Sequence, residues 1–180
     1  MIGGAMIAEG GFGCVFHPAI PCSNEEVDED EYISKIVKKD FNSKNEIKIA
    51  EKIRKINNWR SYFNVAINNC DTDISEIDAS ERDKCESFKR YPEKEFIILK
   101  MPYINGNPLA IHLSDESLND VSRQKQNLQG YIFLLNGIDK LIAAKIVHND
   151  IKSGNILFDK IIKNPIIIDF GLSFEVSQKS

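Results

Sequence analysis

The stretch that decides the reading is Ile146-Val147-His148-Asn149-Asp150-Ile151-Lys152-Ser153-Gly154-Asn155-Ile156-Leu157, followed by Ile166-Ile167-Ile168-Asp169-Phe170-Gly171. Two short apolar runs each deliver a carboxylate, Asp150 and Asp169, and between them stand Lys152 and Asn155. Short apolar runs with polar flanks read as buried strands. The polar residues form a chemical set: a carboxylate that can accept a proton, a cation, and two hard oxygen donors. Amide and carboxylate oxygens are what Mg²⁺ takes from a protein. A proton acceptor, a cation near a moving phosphoryl group and metal ligands are what phosphoryl transfer requires.

Composition narrows the setting. The chain has 180 residues, 42% hydrophobic and 28% charged, which suits one packed domain or one with a small partner. A formal net charge of −4 gives no electrostatic reason to expect a nucleic-acid partner. No apolar run approaches the ~20 residues of a membrane span, and the start, Met1-Ile2-Gly3-Gly4-Ala5, lacks both a basic leader and a myristoylation glycine. No membrane partner is expected, and the oligomeric state is not readable. The four cysteines, Cys14, Cys22, Cys70 and Cys85, make no Cys-x-x-Cys pair. With few histidines, free thiols in a reducing compartment are the expectation, and a zinc site is not.

Upstream, Ala5 to Phe16 places apolar residues on both sides of Gly10, Gly11 and Gly13, the pattern of a β-hairpin with a glycine-rich turn. The acidic run Glu25, Glu26, Asp28, Glu29, Asp30 and Glu31 reads as a solvated connection. Tyr32 to Val37 alternates like a half-buried strand, with Lys35 among apolar neighbours. Residues 41–57 suit a helix whose face carries Ile49, Ala50, Ile53 and Ile56. Glu46 falls on that face and Glu51 does not, so Glu46 is the candidate partner of Lys35. Ser43-Lys44-Asn45-Glu46 also fits a capping box, in which Glu46 would only cap the helix. Asn64 to Asn69 reads as a strand, 70–94 as a polar elaborated loop, and Phe96 to Leu99 as a buried strand that leads into a turn through Pro102 and Pro108. Residues 124–143 place Leu128, Tyr131, Ile132, Leu135, Ile138 and Ile142 at spacings of three and four, which predicts a core helix.

The order His-x-Asp-x-Lys-x-x-Asn and then Asp-Phe-Gly resembles the catalytic loop and metal-binding loop of eukaryotic-type protein kinases. Lysine at position 152 is the serine/threonine-kinase pattern. The run Gly11-Phe12-Gly13-Cys14-Val15-Phe16-His17-Pro18 and the Ser34-Lys35-Ile36 strand resemble divergent kinases of large DNA viruses. The resemblance implies an α+β fold with two lobes: a small antiparallel sheet plus one helix over 1–104, then an incomplete, mainly helical lobe over 105–180. It implies ATP and Mg²⁺ as cofactors. Asp150 would be the catalytic base and Lys152 would neutralise the transferring γ-phosphoryl. Lys35, paired with Glu46, would hold the α- and β-phosphates, and Asn155 and Asp169 would bind the metal. Gly10, Gly11 and Gly13 would cover the phosphates. Ile7, Val15 and Leu157 would enclose the adenine, beside the Met101 side chain and the backbone of Pro102 and Ile104. Pro102 has no N–H, but the resemblance asks only for its carbonyl.

The sequence departs from the family pattern at Ala8, where the first glycine of the loop is usual, at Ile33, where a small residue is usual, and at Asn149, where arginine is usual. Without that arginine, activity should not depend on a phosphorylated activation loop. The sequence ends at Ser180, before the substrate-binding helices of the family, so a fragment or a minimal form is expected. The leading function is transfer of the γ-phosphoryl group of ATP to Ser or Thr of a protein substrate, in a host cytoplasm or a virion. The rival is a nucleotide-binding pseudokinase or interaction module. The leading reading requires Lys35, Glu46, Asp150, Asn155 and Asp169 to converge on one cleft.

Overall fold

The computed structural model describes residues 4–11, 13–22, 29–114 and 121–176. Phe12, half of the acidic run (Glu25, Glu26 and Asp28) and the terminal Ser180 lie outside the described residues. The chain divides into two units, one of residues 1–47 and 66–103, the other of residues 48–65 and 104–180.

The first unit is built on an antiparallel sheet of five strands in the order β1-β2-β3-β5-β4. Its strands are β1 (Ala5–Gly10), β2 (Gly13–His17), β3 (Tyr32–Lys38), β4 (Asn68–Thr72) and β5 (Phe96–Pro102). The expected hairpin forms, and Gly13 is required there. Its backbone lies so close to β3 that a Cβ would stand 2.1 Å from the Ile36 carbonyl oxygen. The strand read over Asn64 to Asn69 is instead β4, four residues later. Phe63 makes only an isolated bridge to Ile167.

Side chains alternate across a sheet, and the register sorts this one into two faces. Cys14 opposes Ile36, Val15 opposes Lys35 and Phe16 opposes Ser34. Ile36 opposes Ile98, and Ile98 opposes Cys70. One face therefore carries Cys14, Phe16, Ile36, Ile98 and Cys70, and the other carries Val15, Lys35, Val37 and Leu99. The segment after β4, expected as a polar loop, covers the first face. It contains two single helical turns and a short helix α2 (Ala79–Arg82), and it buries Ile74, Ile77, Cys85 and Phe88 in one cluster with Phe16, Phe96 and Ile98.

The cysteines overturn the free-thiol expectation. Cys14 is bonded to Cys85 and Cys22 to Cys70, and no cysteine is left as a thiol. Both links close long loops, of sequence separation 71 and 48. In the chain-entropy picture a link of this length constrains the unfolded state by about 4 kcal/mol. The register puts Cys14 and Cys70 on one sheet face, and Cys85 and Cys22 reach them from segments outside the strands, which no spacing rule contains.

Helix α1 (Phe41–Ile53) is four residues shorter than the expected span and buries Ile49, Ala50 and Ile53, as its periodicity requires. Its cap lies further upstream than the expected box. Asp40 Oδ1 accepts from the Asn42 and Ser43 amides, and the Asp40 amide donates back to Ser43 Oγ. Glu46 therefore does not serve as a cap.

In the second unit, β6 (Gly106–Pro108), β8 (Ile156–Asp159) and β9 (Pro165–Ile167) form a three-stranded sheet, and β7 (Ile146–Val147) pairs with β10 (Phe174–Glu175). Two helices precede β7, α3 (Leu109–Leu113) and α4 (Val121–Ala143). The α4 helix exists where the periodicity places it, but it presents the other face inward. Gly130, Leu134, Gly137 and Leu141 are buried, while Leu128, Tyr131, Ile132, Leu135 and Ile142 are exposed. The glycines admit close neighbours. A Cβ on Gly137 would stand 3.3 Å from the Tyr62 ring, and one on Gly130 3.4 Å from Pro165. Tyr62 in turn stacks on Phe133 of α4, with ring centroids 4.4 Å apart.

Candidate active site

Each unit carries one set of the expected residues. In the first, the Lys35 ammonium donates to Glu46 Oε1 at 2.8 Å, and both residues are buried. The strand supplies the lysine and the helix supplies the carboxylate one turn before Ile49 and Ala50. Two buried charges are retained together because each would otherwise suffer the desolvation cost alone. Val15 sits directly across from Lys35 on the same sheet face.

The glycine turn lies at the end of that pair of strands, where Gly10 pairs with Gly13. A Cβ on Gly11 would meet nothing within 4 Å, and one on Gly10 only the Gly13 oxygen at 3.9 Å. Packing therefore explains glycine at 13 and leaves 10 and 11 without a packing reason. A backbone stripped of side chains can be approached closely by a ligand. Ile7 sits at a register shift between Met6 and Ala8 and is half exposed. Met101 is buried in β5, Pro102 ends that strand, and Tyr103 donates its amide to the Glu31 carbonyl at 2.8 Å.

In the second unit, the loop after β7 holds Asp150, Lys152 and Asn155 against one another. Asp150 Oδ2 accepts from the Lys152 ammonium at 2.8 Å and from Asn155 Nδ2 at 2.7 Å. Asn155 Nδ2 also donates to the Asp150 carbonyl at 3.0 Å. The hydrogen bond from Lys152, with a smaller contribution from Asn155, holds the Asp150 carboxyl below its ordinary range. The group is thus ionised at neutral pH. Asn155 spends its amide hydrogens on Asp150, which turns its carbonyl Oδ1 toward the role of a ligand.

His148 organises this loop, a role that the sequence reading missed. Its Nε2 donates to the Ile168 carbonyl at 2.9 Å, so Nδ1 carries the lone pair that accepts from the Asp150 amide at 3.2 Å. Burial pushes the imidazole pKa down, in keeping with this neutral tautomer. Ser173 Oγ donates to the His148 carbonyl at 3.1 Å, and the His148 ring meets Phe170 edge-on. The Ile168 amide donates to the Asn155 carbonyl at 3.0 Å, so the loop before β8 and the end of β9 are bonded both ways. The only sequence signal for this would have been the position of His148, two residues before Asp150.

Asp169 follows Ile168 with φ +62° and precedes the buried Phe170. A non-glycine residue in the left-handed region marks a local constraint, and aspartate tolerates it better than most. Asn149 also has positive φ, +65°. Asparagine is among the side chains that accept this conformation, which gives position 149 a backbone reason for its departure from arginine. Ile104 lies just before β6, and Leu157 in β8 pairs with Pro108 and Ile166.

The donors suit a hard divalent cation: one amide oxygen and one carboxylate, with no thiol or imidazole in the set. Among the described residues no helix is long and apolar enough to cross a membrane.

Comparison with known proteins bears on the family of the chain. Residues 4–180 match the protein kinase domain model. Thirty-nine residues, 22% of the chain, are 49% identical to Protein kinase YpkA of Yersinia pseudotuberculosis, and the same holds for Protein kinase YpkA of Yersinia pestis. Those matches span only 5% of each relative's length. With the family model covering nearly its whole length, the chain belongs to the protein kinase domain family.

Proposed function

We propose that this chain carries the nucleotide-binding and catalytic residues of an ATP- and Mg²⁺-dependent serine/threonine protein kinase. Residues 1–104 would form its first lobe and hinge, and 105–180 part of its second. The carrying observation is the triad around Asp150, in which a lysine and an asparagine share Oδ2 and leave Oδ1 for an incoming hydroxyl. A carboxylate held below its ordinary pKa is a weak base. It therefore orients the hydroxyl first and takes its proton late, as the oxygen bonds to phosphorus.

Lys152 lies close enough to Asp150 to neutralise charge on a phosphoryl group delivered to that hydroxyl. Asn155 Oδ1 and Asp169 would hold Mg²⁺, which would supply positive charge to offset that of the phosphates. Lys35, fixed by Glu46, would position the phosphates under Gly10, Gly11 and Gly13. Val15, Ile7 and Leu157 would enclose the base, with Met101, Pro102 and Ile104 alongside.

Serine/threonine specificity rests on Lys152 at its place in the loop. The viral kinship rests on the glycine-turn and Lys35 sequences. Between host cytoplasm and virion, the paired cysteines favour the particle, because cytosolic thiols are kept reduced.

The test is phosphoryl transfer from γ-labelled ATP to a basic protein by the full chain with Mg²⁺, followed by phosphoamino-acid analysis. Asp150→Asn should lower kcat by at least about 100-fold while leaving ATP binding in place. ATP binding with no transfer by the wild type would favour the nucleotide-binding interaction module instead.

A further inference from the structure

The segment between β4 and β5 grips the β1–β2 hairpin at three points. The Met6 amide donates to Glu81 Oε2 at 2.8 Å, and the Glu86 amide donates to Glu9 Oε1 at 3.0 Å. Cys14, the residue after Gly13, is covalently joined to Cys85. Apolar contacts fill the space between: Phe88 stacks on Phe16 with centroids 6.1 Å apart, and Met6 packs against the same cluster. The Lys84 ammonium and the Met6 amide hold the Glu81 carboxyl below its ordinary pKa, so it is an ionised acceptor.

The grip comes from behind. Cys14 and Phe16 point to the face opposite Val15 and Lys35, so the segment fixes the hairpin without occupying the face assigned to the nucleotide. Around Gly10 and Gly11 a Cβ would meet at most the Gly13 oxygen, so packing does little to hold this backbone in place. Ordering it during binding costs conformational entropy, which a brace on its strands reduces beforehand.

We propose that Glu81, Cys85 and the Glu86 amide position the glycine turn for ATP, with the Cys14–Cys85 bond as the part of the brace that a reductant can open. This rests on the kinase reading above. In the opening step a dithiol gives up two electrons and two protons. The Cys14–Cys85 bond becomes two thiols, and the dithiol closes to its own disulfide.

The test uses the full chain, with MgATP varied against a basic protein acceptor. Peptide mapping under non-reducing conditions should recover the Cys14–Cys85 link, and free thiols at both positions would overturn the proposal. Cys14→Ala/Cys85→Ala, or reduction by a dithiol, should raise KM for ATP about tenfold while changing kcat less than about threefold. Reoxidation of the wild type should reverse the effect. Glu81→Ala should raise KM about threefold, and Glu81→Gln, which keeps an acceptor for the Met6 amide, should restore it.

Amide exchange should quicken in residues 5–17 and not across the whole chain. Unchanged KM with the bond shown open would overturn the brace, as would a kcat loss accompanied by exchange rising everywhere. Failure of the kinase reading would look different: no ATP turnover in either redox state, with the local exchange response intact.

Discussion

Helices α1 and α4 send the same signal in the sequence and answer it in opposite ways. Both carry isoleucines and other large apolar residues at spacings of three and four. In α1 that stripe is the buried face, with Ile49 and Ile53 at most 1% exposed. In α4 the richer stripe faces outward, Leu128 at 62% and Ile142 at 65%, while two glycines and two leucines are buried. Periodicity reports that a helix has an apolar face, but not which face its neighbours occupy. Close approach by Tyr62 and Pro165 requires small residues, and glycine adds nothing to a hydrophobic count.

The sharpest way to break the contrast is to empty the α1 face and overfill the α4 face. Ile53→Ala should cost about 2–5 kcal/mol in urea unfolding, because a fully buried side chain leaves a cavity. A loss below about 1 kcal/mol would mean that α1 is not seated on its apolar stripe. Gly137→Val should cost about 1–3 kcal/mol, since even a bare Cβ there stands 3.3 Å from Tyr62. A neutral result would separate α4 from Tyr62.

The next effect is on pH, in the loop that α4 and β7 lead into. Burial keeps His148 neutral in the fold, while the unfolded chain takes up its proton near 6.5. As pH falls below 6.5 the unfolded state binds the proton first, and stability declines until the folded-state pKa is passed. The slope is at most about 1.4 kcal/mol per pH unit. His148→Gln should flatten it in thermal unfolding scans between pH 7.5 and 5, and an unchanged slope would assign the loss to another group. The depressed Asp150 acts only lower down, where its unfolded value of 3.8 is approached.

The smallest effect belongs to the outward stripe of α4. Leu135→Gln should change stability by no more than about 0.5 kcal/mol. A loss above about 1 kcal/mol would show that something covers this face in solution.

The candidate site was more legible than the packing around it. Asp150, Lys152 and Asn155 announce themselves because they lie within six residues and meet through local loop geometry. Lys35 with Glu46 was accessible because a strand period and a helix period can both be read from short windows. His148 was harder: its role depends on Ile168 and Ser173, which the chain brings back only after β8 and β9.

From the amino-acid order alone come the hairpin, β3, β5, the two long helices and the candidate site residues, since each depends on neighbours a few positions away. Only the tertiary structure decided the cysteine pairing, the covering of the sheet by residues 73–95 and the inward face of α4. Each of these joins segments distant in the chain through sheet register and close packing, and such contacts leave no periodic trace in either segment.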